Sequence, residues 1–340
     1  MSNYLQCTDR QNPAQAAILP LMRAAVLDDY QRRAGEFADW GSLAPQVEVD
    51  FFHESIRAEA LAQTLSDYEI LVLMRERTRF PREVLEQLPA LKLLVTTGMR
   101  NASVDVAYLR ERGVVVAGTG GGGVAPGLPS TVEVAWALIL AVYKRVTFED
   151  RALRAGAWQV DFPRNLAGAT LGLAGLGRLG GAMVAPARVF GMEVIAWSQN
   201  LTDERAAELG VRRVTKAELL AGADVLSIHL VLSERTRGLL GAGDLAQMKP
   251  SAVLINTSRG PIVDERALID ALRTGAIAAA GLDVFDREPL PRDHELLRLE
   301  NTVLLPHLGY VSENGFRAMY GEAVEDIAAF VQGAPVRVLE

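Results

Sequence analysis

Cysteine is all but missing from this sequence. Among 340 residues only Cys7 carries a thiol, so no disulfide can close within the chain, and a reducing, cytoplasmic setting is expected. Histidine is nearly as scarce. The four are His53, His229, His294 and His307; no two have metal-ligand spacing, so with a single cysteine no metal site is expected. A surplus of basic charge is lacking too. The formal net charge is -7, which disfavours a general nucleic-acid or membrane-surface role, because both need a basic patch. The apolar stretch Val134 to Val142 is too short to span a bilayer. Met1 to Pro13 has neither the basic start nor the apolar core of a secretory signal. Short-period repeats and low-complexity segments are absent.

What remains is an ordinary globular composition, 49% apolar and 23% charged, in a chain long enough for two cores. Short apolar runs alternate with helical stretches. Strands are expected at Ala24 to Leu27, Val47 to Phe52, Ile70 to Met74, Leu91 to Thr96 and Val114 to Val116. After a Gly- and Pro-rich segment from Gly118 to Pro129, a candidate hinge, one long apolar helix is expected from Ser130 to about Gly156. A Ser-Thr-Val-Glu capping box would start it. A second alternating block has expected strands at Leu171 to Ala174, Glu193 to Trp197, Val225 to His229, Val253 to Asn256, Ala279 to Leu282 and Thr302 to Leu305. A last helix is expected from Ser312 to Gln332. The pattern predicts an α/β chain with two doubly wound parallel sheets.

In the second block, G-x-G-x-x-G occurs at Gly175, Gly177 and Gly180, after an expected strand and opening an expected helix. That context makes it a dinucleotide fingerprint: a tight turn, a close backbone approach to a pyrophosphate, and close helix packing. Candidate cofactor contacts are these glycines with Arg178 and Leu179, and Ser198 after the next strand. That strand ends Trp197-Ser198-Gln199-Asn200, without the acid that usually binds the ribose hydroxyls. Arg205 lies further on, as a possible phosphate partner or a helix-surface charge. NAD or NADP is the expected cofactor, with a lean to NAD.

Three short segments supply complementary chemistry. Arg259 lies in Asn256-Thr257-Ser258-Arg259-Gly260, Glu288 follows Asp283-Val284-Phe285, and His307 lies in Pro306-His307-Leu308-Gly309. An arginine fork can bind a carboxylate and polarise a neighbouring carbonyl. An imidazole can give or take one proton near neutrality, and a carboxylate beside it favours the imidazolium. Arg259 and His307 follow expected strands, at the edge where open parallel sheets bind ligands. These are parts for reducing a 2-oxo acid. His53 and His294 read as surface residues, and His229 as structural.

In these segments and the fingerprint, the chain resembles the D-isomer-specific 2-hydroxyacid dehydrogenases over roughly Arg23 to Leu339. The resemblance implies Arg259, Glu288 and His307 as the catalytic set, Asp283 as a nicotinamide contact and Thr257 beside the cofactor. It implies a nucleotide domain inserted into a discontinuous substrate domain. The corresponding bounds are 1–22 for an N-terminal arm, 23–126 and 307–340 for the substrate domain, and 127–306 for the nucleotide domain. The family's substrate loop matches at Gly98 and Asp105 but carries Arg100 in place of a glycine. Amides of Met99 and Arg100 could cradle a carboxylate, while the Arg100 side chain either adds a charge or faces solvent. Arg75 resembles another pocket position. A small 2-oxo or 2-hydroxy acid partner and a homodimer built on the long helix are implied. The alternative is a dinucleotide-sensing binding protein of corepressor type.

Overall fold

The structure, a computed structural model, describes residues 21–120 and 127–339. Cys7, most of the N-terminal arm and the hinge glycines Gly121, Gly122 and Gly123 lie outside the described residues. The chain divides into two compact units, Met1–Gly122 with Phe316–Glu340, and Gly123–Gly315. The second crossing was expected at 306/307; it falls at 315/316, inside the Glu313–Val331 helix.

The first unit contains β1 (Met22–Val26), β2 (Val47–Phe51), β3 (Ile70–Leu73), β4 (Leu93–Thr96) and β5 (Val115–Gly118), ordered β2-β1-β3-β4-β5. All neighbours are parallel. Every residue of β3 and β4 is buried, as expected of strands covered on both faces. Phe316 and Tyr320 of the last helix belong to this unit's core, and Tyr320 lies 5.8 Å from the Trp40 ring. The tail then returns to β5. The Leu339 N–H donates to the Val116 carbonyl, and Gly118 N–H to that of Arg337.

The second unit contains β6 (Thr170–Ala174), β7 (Glu193–Trp197), β8 (Arg212–Arg213), β9 (Val225–Ile228), β10 (Val253–Asn256), β11 (Ala279–Leu282) and β12 (Thr302–Leu304). Their order is β12-β11-β10-β9-β6-β7-β8, again all parallel. Strand periodicity sorts the core between the two faces. Val253 and Ile255 join the Ser130–Tyr143 helix in one cluster, while Ala252 and Leu254 join Leu219, Leu268 and Leu272 in another. Strand order reverses beside β6, which makes the β6/β9 edge the natural ligand crevice. The expected class, two doubly wound parallel sheets, is what the molecule has.

Two local expectations fail and one strand was unforeseen. The long helix stops at Tyr143 and a second runs Val146–Arg154. Arg145 between them is left-handed, with φ 51°, and Lys144 Nζ is drawn to the Arg164 carbonyl and Asn165 Oδ1. Ser130 does not cap the first of these helices. Pro129 occupies that position and no side-chain cap forms, while the neighbouring Thr131 hydroxyl donates to the Gly309 carbonyl. Finally, β8 was not expected, because two exposed arginines carry no apolar signal. Among the described residues, no helix is long and apolar enough to cross a membrane.

Candidate active site

Strands β10, β11 and β12 are neighbours, so the residues after their C-terminal ends share one edge of the sheet. Arg259 follows β10, Asp283 and Glu288 follow β11, and His307 follows β12. The loop after β10 is braced internally. Asn256 Nδ2 donates to the Arg259 carbonyl, Ser258 N–H to Asn256 Oδ1, and the Ser258 hydroxyl to the Ile228 carbonyl. Arg259 Nη1 donates to the Ser258 carbonyl at 2.8 Å. A Cβ on Gly260 would stand 2.1 Å from the Phe285 carbonyl carbon and 2.6 Å from Asp286 N. Glycine therefore lets the Arg259 loop touch the backbone leading to Glu288.

Glu288 uses both oxygens. Oε1 accepts the Phe285 N–H at 2.9 Å and Oε2 meets His307 Nδ1 at 2.5 Å. With Glu288 as the acceptor Nδ1 is the donor, and Nε2 takes no part in this bond. His307 has φ 54°, a left-handed backbone that a non-glycine residue adopts at a cost and that recurs at functional sites. Asp283 holds it there. Its two oxygens accept the Leu308 and Gly309 amides at 2.6 and 2.8 Å. Burial pushes the Asp283 carboxyl up to about 6, against the pull of those amides and of His307. This clamp on the histidine loop was not read from the sequence, which suggested only a nicotinamide contact; the constraint joins residues far apart in the chain. The Tyr310 ring lies edge-on to His307 at 5.3 Å.

The glycine loop after β6 fits a dinucleotide. Gly175 has φ 104°, and a Cβ on it would lie 2.6 Å from the His229 carbonyl oxygen; one on Gly180 would lie 2.0 Å from that of Gly175. A Cβ on Gly177 would meet nothing within 4 Å. The turn is thus closed on its inner side and open at Gly177, where a pyrophosphate approaches. Arg178 is exposed and Leu179 half-buried at the start of the following helix, and Ser198 is half-buried after β7. Thr257 Oγ1 is buried without a partner among the described residues, which suits a polar ligand group.

The histidines separate clearly. Burial holds His229 down at about 4, with Nε2 bonded to the Ser227 hydroxyl at 2.9 Å, so it is a neutral structural residue under the glycine loop. His53 and His294 were expected at the surface in polar surroundings, and each has a carboxylate neighbour. Each is half-buried against a carboxylate, Asp29 and Glu265 respectively, at 3.1 Å. Among the described residues no cluster could hold a metal ion.

The residues expected at the substrate end lie in the first unit. Arg75 is left-handed, with φ 54°. Its N–H donates to Thr97 Oγ1 and its carbonyl accepts from Asn101 Nδ2, each at 2.8 Å. Its guanidinium lies across Gly98, where a Cβ would stand 2.4 Å from Arg75 Nη1. Met99 and Arg100 are exposed beside them.

This is an α/β protein with a dinucleotide-type glycine loop and, along one sheet edge, a hydrogen-bonded histidine–carboxylate pair and an arginine. Residues 136–309 match the family model for the NAD-binding domain of the D-isomer specific 2-hydroxyacid dehydrogenases. The chain is 38% identical over 259 residues to a glyoxylate reductase of Korarchaeum cryptofilum, covering 74% of this chain and 76% of that one. It is 34% identical to a D-3-phosphoglycerate dehydrogenase of Archaeoglobus fulgidus, covering 94% of this chain but 57% of that longer one. A phosphoglycerate oxidoreductase structure from Vibrio cholerae is similar with a TM-score of 0.84 at 36% identity, covering 92% of this chain and 100% of the other. The chain belongs to the D-isomer specific 2-hydroxyacid dehydrogenase family. It is an oxidoreductase that transfers hydride between a nicotinamide cofactor and a 2-hydroxy acid or its 2-oxo acid.

Proposed function

We propose that this protein interconverts a small 2-oxo acid and its D-2-hydroxy acid through Arg259, Glu288 and His307. The observation that carries the assignment is the 2.5 Å bond between His307 Nδ1 and Glu288 Oε2 beside the β10 loop that bears Arg259. In reduction, His307 Nε2 gives its proton to the carbonyl oxygen, and Glu288 stabilises the imidazolium beforehand. Arg259 binds the carboxylate through its fork and polarises the carbonyl. The bound dinucleotide supplies the hydride that reaches the carbonyl carbon. In oxidation neutral His307 takes the hydroxyl proton back. Gly175, Gly177, Arg178, Leu179, Gly180, Ser198 and Thr257 are assigned to the dinucleotide. Asp283 is assigned both to it and to fixing the His307 loop. Arg75, Gly98, Met99 and Arg100 are assigned to the substrate.

The pyrophosphate and nicotinamide contacts are common to NAD and NADP, so discrimination falls to the residues after β7. The test of the reaction is a panel of glyoxylate, pyruvate, hydroxypyruvate and 3-phosphohydroxypyruvate, each with NADH and NADPH. Turnover of at least one acid is expected. Tight nucleotide binding without turnover of any 2-oxo acid would instead favour the binding-protein alternative.

Glu288→Gln keeps an acceptor for the Phe285 N–H while removing the charge beside His307. It should lower kcat by about tenfold or more with a smaller change in KM, since the charge acts on the protonated imidazole. Steady-state kinetics showing an unchanged kcat would remove Glu288 from the mechanism.

A homodimer is supported by the surface after the Ser130–Tyr143 helix. Leu153, Trp158, Val160 and Phe162 are all exposed, Phe162 at 94%. Large apolar groups exposed within one short stretch of chain are of the kind that association covers. Trp158→Glu combined with Phe162→Glu should convert a dimer to a monomer in sedimentation velocity. A wild-type monomer at tens of micromolar, or a double variant that stays dimeric, would contradict this.

A further inference from the structure

The end of β7 combines a missing acid with an arginine placed on the glycine loop. In this register Trp197 pairs with Ala174, and Gly175 N–H donates to the Trp197 carbonyl at 2.8 Å. The glycine loop and Ser198-Gln199-Asn200 therefore leave the same edge side by side. In such folds the adenosine ribose sits there. An acid at the second strand's end binds its hydroxyls and repels a 2′-phosphate, whereas a nearby arginine accepts that phosphate.

Arg205 occupies the first turn of the Asp203–Glu208 helix, and Thr202 caps that helix by accepting the Arg205 N–H. Its side chain turns back to the fingerprint. Nε donates to the Leu176 carbonyl at 3.4 Å, and Nη2 lies 3.2 Å from the position of a Cβ on Gly181. The guanidinium is thereby anchored on the loop that follows β6 while its own helix follows β7. Its surface partner is Glu208 Oε2, 2.8 Å from Nη1, with side-chain exposures of 43% and 62%. An exposed pair of this kind is weak, and a phosphate dianion can displace it by offering paired oxygens to the fork. Two further acids lie in this turn, Glu204 and Asp203, the latter engaged by Arg213 at 3.0 Å.

We infer that the dinucleotide site selects the 2′-phosphorylated cofactor, NADP(H), with Arg205 as the residue that binds the 2′-phosphate. This rests on the dinucleotide reading above and reverses the lean to NAD that the bare sequence suggested.

The test is calorimetric binding of 2′,5′-ADP, 3′,5′-ADP and ADP, which read the adenosine end without catalysis. Wild-type protein should bind 2′,5′-ADP at least about tenfold tighter than ADP, with 3′,5′-ADP gaining much less. Arg205→Gln should bring the 2′,5′-ADP affinity down to that of ADP, and Arg205→Lys should restore part of it. Equal affinities for 2′,5′-ADP and ADP, an equal gain for 3′,5′-ADP, or a preference that survives in Arg205→Gln would overturn the phosphate site alone. Failure of every fragment and of both intact dinucleotides to bind would overturn the dinucleotide reading itself.

Discussion

Replacing His307 with alanine is expected to lower kcat by about 10²–10⁴-fold, the range for loss of a positioned proton donor. The carbonyl oxygen gains negative charge as hydride reaches the adjacent carbon. Without an acid in place that charge must be met by solvent, at a higher barrier. The imidazole is prepared for the task from two sides: Glu288 holds Nδ1 at 2.5 Å, and Asp283 fixes the backbone after it through the Leu308 and Gly309 amides. Because His307 has φ 54°, alanine also carries a backbone cost. His307→Asn separates the two effects, since asparagine tolerates the left-handed region. Both variants should lose turnover comparably while still binding nucleotide. Near-wild-type turnover in the asparagine variant would remove His307 as the acid.

Arg259→Ala should lower kcat/KM by about 10²–10⁴-fold. Two charge-assisted hydrogen bonds to a carboxylate, at about 1.5–3 kcal/mol each, amount to roughly two to four decades. The loss should appear in both parameters, because the guanidinium anchors the ground state and also meets charge developing on the carbonyl. Arg259→Lys keeps the charge but not the planar fork, so only part should return. The loop itself is expected to stay in place: Gly260 still lies against Phe285, and the carbonyl at position 259 can still accept from Asn256 Nδ2. Unchanged kcat/KM in the alanine variant would contradict the assignment.

Much of this arrangement was legible in the sequence because its signals are local. Parallel strands buried on both faces read as apolar runs, and Arg259, Glu288 and His307 each sit in a short segment at or just beyond such a run. The glycine fingerprint is local as well, since Gly175 and Gly180 are required by contacts within one turn and with the adjacent strand. The features that escaped depend on partners distant in the chain. Asp283 grips amides 25 and 26 positions away, and Arg205 reaches back 29 residues to Leu176. The helix break at Arg145 escaped for a related reason. Tyr143-Lys144-Arg145-Val146 contains no glycine or proline, and Lys144 is drawn to carbonyl oxygens of Arg164 and Asn165, some twenty residues on. Polar bonds that act across the fold leave no periodicity to read.

In the proposed reaction hydride and proton are delivered separately, the proton by His307, to make a D-2-hydroxy acid. Reduction of an accepted 2-oxo acid with cofactor carrying deuterium at the transferring C4 position tests it directly. The expected product is the D-2-hydroxy acid with one deuterium at C2, formed by wild-type protein and lost in proportion to turnover in His307→Asn. An L or racemic product, or a product without deuterium at C2, would contradict the account.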